Sequence, residues 1–126
     1  MNKIEYQGLH HASVLVSDLQ VSLNFYCEIL GMTLDESRPD MGFNGAWLKI
    51  ASHEIHLLEL PNPDLLTGRP EHVGRDRHVA ISIKEIDVLI EILEREKIVY
   101  TKSKSGRAAI FFRDLDANGL EFIEKK

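Results

Sequence analysis

The sequence predicts an α+β fold in which two βαβββ modules follow one another along the chain. A short apolar strand, an amphipathic helix and three further strands occur near the N-terminus, and the same order returns from His78 onward. The segment between the two copies is polar and contains glycine and proline, which is typical of a linker. We therefore predict one domain over residues 1–126, with module one at about 4–62, a linker at about 63–75 and module two at about 76–126.

Module one begins with a run from 9 to 16 that is apolar and partly β-branched, which predicts a strand. Asp18 is the predicted N-cap of a helix whose apolar positions recur as far as Leu30, and Gly31 is expected to end that helix. Three short strands are predicted to follow, at 32–37, 45–50 and 54–60.

Module two repeats this order. A strand is predicted over 78–83 and an amphipathic helix over 84–96, with its apolar side chains on one face. Strands are predicted over 98–102, 107–112 and 120–123. The stretch "DLDANG", residues 114–119, has the Asn-Gly chemistry of a tight turn.

The composition of the chain limits the kinds of molecule that we expect it to bind. The chain has a net charge of −5 and no long basic run, so neither a nucleic acid nor an anionic membrane is an expected partner. No apolar run reaches the length of a membrane-spanning helix, and the N-terminus lacks the apolar core of a secretory signal. The single cysteine, Cys27, cannot form an internal disulfide. These features lead us to expect a cytoplasmic protein.

Four candidate metal ligands occupy matching places in the two modules. His11 and His78 come early in the first strand of each module, and His56 and Glu121 lie inside the last strand. The separations are similar, with 45 residues from His11 to His56 and 43 from His78 to Glu121. A single histidine on a strand is more often a packed or surface residue, but a symmetric set of three imidazoles and one carboxylate favours a divalent metal such as Ni, Zn, Fe or Mn.

Four other side chains are predicted to lie near these ligands or to support them. His10 points to the opposite face from His11, so we expect it to be structural or to support the ligand. Ser13 shares the mixed face with His11 and is a candidate for the substrate pocket. Trp47 is either a core residue or a stacking wall of that pocket. His72, in the linker, is expected at the surface or at the edge of the cleft.

The paired modules and three stretches resemble the vicinal oxygen chelate superfamily: "HHASVLVSDLQVSLNFYCEILGM", "DRHVAISI" and "DLDANGLEFIE". The resemblance covers nearly the whole chain. It implies that the metal ligands are His11, His56, His78 and Glu121, and that the modules pair around a cleft, commonly across a homodimer. It also implies that vicinal oxygens of a small-molecule substrate bind to the metal.

For the reaction, the resemblance favours a glyoxalase I-like lyase or isomerase that acts on a small oxygenated metabolite through an enediolate, with Glu121 as the proton carrier. His56 stands where glyoxalase I usually has a carboxylate or glutamine, which leaves Glu121 as the best candidate base. Two alternatives stay open at this point. One is a small-molecule binding protein without catalysis, and the other is an Fe(II) extradiol-type dioxygenase.

Overall fold

The computed structural model describes residues 2–126 as two four-stranded mixed sheets, each accompanied by a helix. Module one contains strands β1 (His11–Val16), β2 (Thr33–Asp35), β3 (Gly45–Ile50) and β4 (His53–Glu59). Module two contains strands β5 (His78–Ile83), β6 (Thr101–Lys102), β7 (Ala109–Arg113) and β8 (Gly119–Glu124). The predicted α+β class and the two tandem βαβββ modules are confirmed.

The two sheets have the same topology. Their strand orders are β1-β4-β3-β2 and β5-β8-β7-β6, so the first strand of each module pairs with the last. These two pairs are parallel, and every other strand pair is antiparallel. A parallel pairing needs a crossover connection, and the helix of each module provides it. The first strand of each module therefore lies at a sheet edge beside the strand that carries the second candidate ligand.

The helix of module one changes its winding part-way. Helix α1 spans Leu19–Leu23 and continues as a π-helical segment over Asn24–Ile29. Asp18 caps it as predicted, because its carboxylate accepts from the backbone N–H of Val21 at 3.2 Å. Gly31, with a φ of +77°, ends the helix in the left-handed conformation, also as predicted. The π-helical segment was not predicted, because a periodicity of apolar residues does not distinguish one extra residue per turn.

Helix α2 (Ile86–Arg95) covers the second sheet. Its N-terminus has no side-chain cap of its own, and the carboxylate of Glu124 accepts from the N–H of Ile86 at 3.0 Å. Module one makes the same contact between Glu59 and the N–H of Leu19 at 2.7 Å. A carboxylate at the end of the last strand thus stabilises the positive end of the helix in both modules. The two modules therefore share this contact between strand carboxylate and helix N-terminus as well.

One hydrophobic core joins the two modules. Buried and more exposed side chains alternate along β3 and β4, whereas β7 and β8 are each buried at four consecutive positions. Phe25 of the π-helical segment packs against Phe112 of β7, with ring centroids 6.4 Å apart. The fully buried members of the core come from both modules: Val16, Tyr26, Leu48, Ile55, Leu57, Leu93, Phe112 and Leu120.

A buried polar cluster also connects the modules. The hydroxyl of Tyr26 donates to Asp114 at 2.6 Å, and the side-chain amide of Asn118 donates to the carbonyl of Leu15 at 2.9 Å. Burial raises the pKa of Asp114, and burial together with the charge of Asp114 raises the pKa of Tyr26 well above its ordinary value. The predicted turn "DLDANG" therefore does more than reverse the chain, since it fixes the position of β1 relative to β7 and β8.

No helix among the described residues is long and apolar enough to cross a membrane.

Candidate active site

The outward face of the first sheet carries a stack of three rings. His56, on β4, lies between strands β1 and β3, opposite Ser13 on one side and Trp47 on the other. Its ring stacks on His11 with centroids 3.9 Å apart and on Trp47 with centroids 4.8 Å apart. The alternation of strand residues places these side chains on the face away from the core. Module one thus brings its two predicted ligands together, with Trp47 beside them.

Polar neighbours hold both imidazoles. Glu54 lies two residues before His56 on the same face, and its Oε1 is 2.9 Å from Nε2 of His56. Nδ1 of His11 is 2.8 Å from Nδ1 of His10. Nε2 is therefore the ring nitrogen of His11 that lies outside this contact. Desolvation of the ring, and then the nearby imidazoles of His56 and His10, lower the pKa of His11. The neutral imidazole that results is the form that binds a metal.

The second predicted pair lies on the outward face of the second sheet. Nε2 of His78 is 3.0 Å from Oε1 of Glu121, and Nδ1 of His78 is 2.8 Å from the carbonyl oxygen of Asp76. A carbonyl oxygen only accepts, so Nδ1 of His78 donates to it and the ring orientation is fixed. Glu121 is only 3 % exposed, while His78 is more open. This pair therefore combines a buried carboxylate with an imidazole whose Nε2 faces it.

A third group contacts the buried carboxylate. Nη2 of Arg107 lies 3.3 Å from Oε2 of Glu121. Phe111 packs edge-on against His78, with ring centroids 5.5 Å apart, and His72 packs against the same phenyl ring at 4.8 Å. His72 is thus half-buried beside the second pair. Its Nδ1 is within 2.8 Å of the hydroxyl of Thr101.

An ion-pair network holds the chain where it enters β5. Asp76 accepts from Nε of Arg69 and from Nη1 of Arg113, both at 2.8 Å. The bond from Arg113 is the largest cause that lowers the pKa of Asp76 to about 2. Arg113 also donates to the carbonyls of Pro70 and Ala117. The end of the linker is thereby fixed, and with it the carbonyl that orients His78.

The two pairs do not merge into one cluster within the part of the chain described here. No group of three or more His, Cys, Asp or Glu side chains in residues 2–126 is arranged to hold a metal ion. An open cleft of about 460 Å³ borders His11 and Glu54 and extends to residues 79–82 of β5. Each module thus presents half of the predicted ligand set, His11 with His56 and His78 with Glu121.

The sequence analysis missed two residues of the site. Glu54 had a detectable signal, because a residue two positions from His56 on a strand must share its face. Arg107 had none, since it lies 14 residues from Glu121 in sequence and only the pairing of β7 with β8 brings the two together.

Comparison with known proteins identifies the family. The sequence profile described as "Glyoxalase/Bleomycin resistance protein/Dioxygenase superfamily" matches residues 8–122. The chain belongs to this superfamily. The resemblance to the vicinal oxygen chelate proteins is thereby confirmed, and the match includes all four predicted ligands.

A curated relative agrees with this assignment, and solved structures share the fold. Glyoxylase I 4 of Arabidopsis thaliana is 30% identical over 125 residues, covering 95% of this chain and 72% of that protein. A glyoxalase family protein from Bacillus anthracis has a similar structure, with a TM-score of 0.79, 22% identity and coverage of 99% and 100% of the two chains. The fosfomycin resistance protein FosX from Listeria monocytogenes, solved with Mn(II) and 1S,2S-dihydroxypropylphosphonic acid, gives a TM-score of 0.72 at 21% identity, with coverage of 97% and 95%.

Proposed function

We propose that this protein is a metal-dependent lyase or isomerase that acts on a small oxygenated metabolite through an enediolate. The main observation behind this proposal is that the four candidate metal ligands lie in two pairs, one in each module. His11 meets His56 in module one, and His78 meets Glu121 at the equivalent position of module two. The superfamily membership and the glyoxalase relative support the reaction class.

The donor set suits a divalent transition metal. Three imidazoles and one carboxylate are ligands that Ni, Zn, Fe and Mn accept. His11, His56, His78 and Glu121 would hold the ion. The lowered pKa of His11 favours its ligand form, and the carbonyl of Asp76 directs Nε2 of His78 toward Glu121. The FosX structure with Mn(II) supports the choice of a divalent metal.

We propose that each complete site forms across a homodimer. The outward faces of the two edge strands are exposed at His11, Ser13 and Ser82, so a second copy can approach them. In such a dimer, His11 and His56 of one protomer would meet His78 and Glu121 of its partner. Equivalent interfaces on both protomers would then give two identical sites.

A metal held by these side chains would act as a Lewis acid and would lower the pKa of a C–H bond beside the substrate's oxygens. Glu121 is the group proposed to move the proton, since a carboxylate is a suitable general base and this one faces the ligand His78. Glu54 holds His56 in place. Trp47 forms a flat wall beside His56, and Ser13 supplies a hydroxyl on the neighbouring strand.

The first test is the metal content of untagged protein, measured by mass spectrometry. We expect about one equivalent per chain in the wild type, and its loss in the His11→Ala and Glu121→Ala variants. His53→Ala is the matched control, because His53 is an exposed histidine on the same strand as His56, and its Nδ1 lies 3.4 Å from the hydroxyl of Ser52. If no Ni, Zn, Mn or Fe binds on reconstitution, the enzyme proposal is wrong and ligand binding without catalysis takes its place.

A mixing experiment tests the shared site. One variant lacks His11 and His56, and the other lacks His78 and Glu121. Neither should bind metal alone. In a mixed dimer, however, one of the two sites would draw intact ligands from both chains, so an equal mixture should recover about a quarter equivalent per chain. If each chain holds its own metal, mixing restores none.

Turnover is the final test. Metal-loaded protein would be screened with 2-oxoaldehyde conjugates, epimerisable acyl thioesters and catechols. We expect Glu121→Gln to abolish turnover on whichever substrate reacts. Oxygen uptake with a catechol would instead indicate a dioxygenase.

A further inference from the structure

The segment from 97 to 113, which includes β6, β7 and the loop between them, is basic in a chain that is acidic overall. Residues 97–113 contain five lysine or arginine side chains and no aspartate or glutamate, whereas the whole chain has a net charge of −5. Arg107 is the member of this set that reaches the candidate site, through its contact with Glu121. Its side chain is also 58% exposed, so it remains accessible to a solute.

Serine hydroxyls hold the arginine in place. Ser105 Oγ accepts from Nε of Arg107 at 3.1 Å and from its backbone N–H at 3.3 Å. Ser105 is in turn held by Ser103, with their hydroxyls 2.7 Å apart. Gly106, with a φ of +85°, permits the tight turn between Ser105 and Arg107. The guanidinium is thus held by Ser105 at its Nε edge, while its Nη2 contacts Glu121.

Another anion can replace Glu121 as the partner of Arg107. The Nη2 to Oε2 distance of 3.3 Å is longer than the about 2.8 Å of a strong charge-assisted bond. If Glu121 is a metal ligand, the cation neutralises that carboxylate and repels the guanidinium. The hydrogen bond from its Nε to Ser105 favours a position of Arg107 close to the site. The guanidinium, which is 58% exposed, would then be free to bind another anion.

We infer that Arg107 binds an oxyanion group of the substrate, so that the substrate of this enzyme is an anion. The inference rests on the proposed function, since it places the anion beside the metal held by Glu121. The planar fork of a guanidinium suits both a carboxylate and a phosphate or phosphonate. Arg107 is therefore a specificity-determining residue for the reaction proposed above.

Isothermal titration of Mn²⁺-loaded protein with methylphosphonate and with acetate tests this assignment and tells the two oxyanion types apart. We expect Arg107→Ala to weaken binding of the preferred anion by about tenfold or more, the loss typical of a charge-assisted hydrogen bond, with its metal content unchanged. Arg95→Ala is the control, because Arg95 is a similarly exposed arginine on α2 that pairs with Glu96. That variant should bind the anion like the wild type.

A second comparison separates this inference from the proposed function. Glu121→Gln removes the competing negative charge without any metal, so metal-free Glu121→Gln should bind the anion more tightly than the metal-free wild type. Adding Arg107→Ala to it should abolish that gain. If the wild type binds no metal but these variants behave as stated, the enzyme proposal fails and the anion site stands. If Arg107→Ala binds both anions as the wild type does, or the wild type binds neither at millimolar concentration, the anion site is wrong.

Discussion

Replacing Tyr26 with phenylalanine isolates one hydrogen bond between the modules. The Tyr26 side chain is fully buried, and its hydroxyl donates to Asp114 at 2.6 Å. A hydrogen bond to a charged group contributes about 1.5–3 kcal/mol. Asp114 keeps three other donors, from the backbone of Asp116 and from the backbone and side chain of Asn118. The carboxylate is therefore not left unpaired, and we expect a loss of about 1.5–2 kcal/mol.

Urea unfolding and a thermal melt measure this loss. For a chain of this size, the expected change lowers Tm by about 5–8 °C. Tyr100→Phe is the matched control, because Tyr100 also donates to a carboxylate, at 2.9 Å from Glu94, but at the surface. That variant should lose at most about 0.5 kcal/mol. If Tyr26→Phe is no less stable than Tyr100→Phe, the hydrogen bond to Asp114 does not hold the modules together as we argue.

Three further predictions concern stability. Leu93→Ala should cost about 2–5 kcal/mol in urea unfolding, because Leu93 is fully buried, whereas Val88→Ala at an exposed position of the same helix should cost less than about 0.5 kcal/mol. Asp76→Asn should cost about 2 kcal/mol at pH 7, since the pKa of Asp76 is lowered from 3.8 to about 2. The contribution of Asp76 is present above pH 4 and lost as the pH falls toward 2, so a deficit that persists at pH 2 would contradict this cause. Ala117→Gly should stabilise by about 0.5 kcal/mol in a thermal melt, because Ala117 has a φ of +64°; a lower Tm would refute this.

The sequence alone predicted the repeat, because hydrophobic periodicity is a local property. Strands show a period of 2 and helices a period of 3.6, so the order of elements in both modules is detectable without coordinates. Asp18 and Gly31 were correctly placed at the helix ends for the same reason, since caps act on neighbouring backbone groups. The lengths of the edge strands β2 and β6 were overestimated, since the structure reduces them to Thr33–Asp35 and Thr101–Lys102. Edge pairing depends on a neighbour that the sequence does not show.

The candidate ligands could be chosen from the repeat, but their arrangement could not. The symmetry of the modules pointed to His11, His56, His78 and Glu121, and periodicity gave the face on which each lies. Only the register of β1 on β4 and of β5 on β8 decided that each pair forms within its own module. These are contacts between residues more than 40 positions apart, and local pattern carries no information about them.

Tertiary structure alone decided the electrostatic surroundings of the site. Arg107 reaches Glu121 because β7 pairs with β8, and Asp76 is fixed by arginines from the linker and from β7. Tyr26 meets Asp114 across 88 residues of chain. Charge and hydrogen bonding depend on distances of a few ångströms, so only folding brings these groups close enough to act on one another. The sequence determined which chemical groups are present, and the fold determined which of them meet.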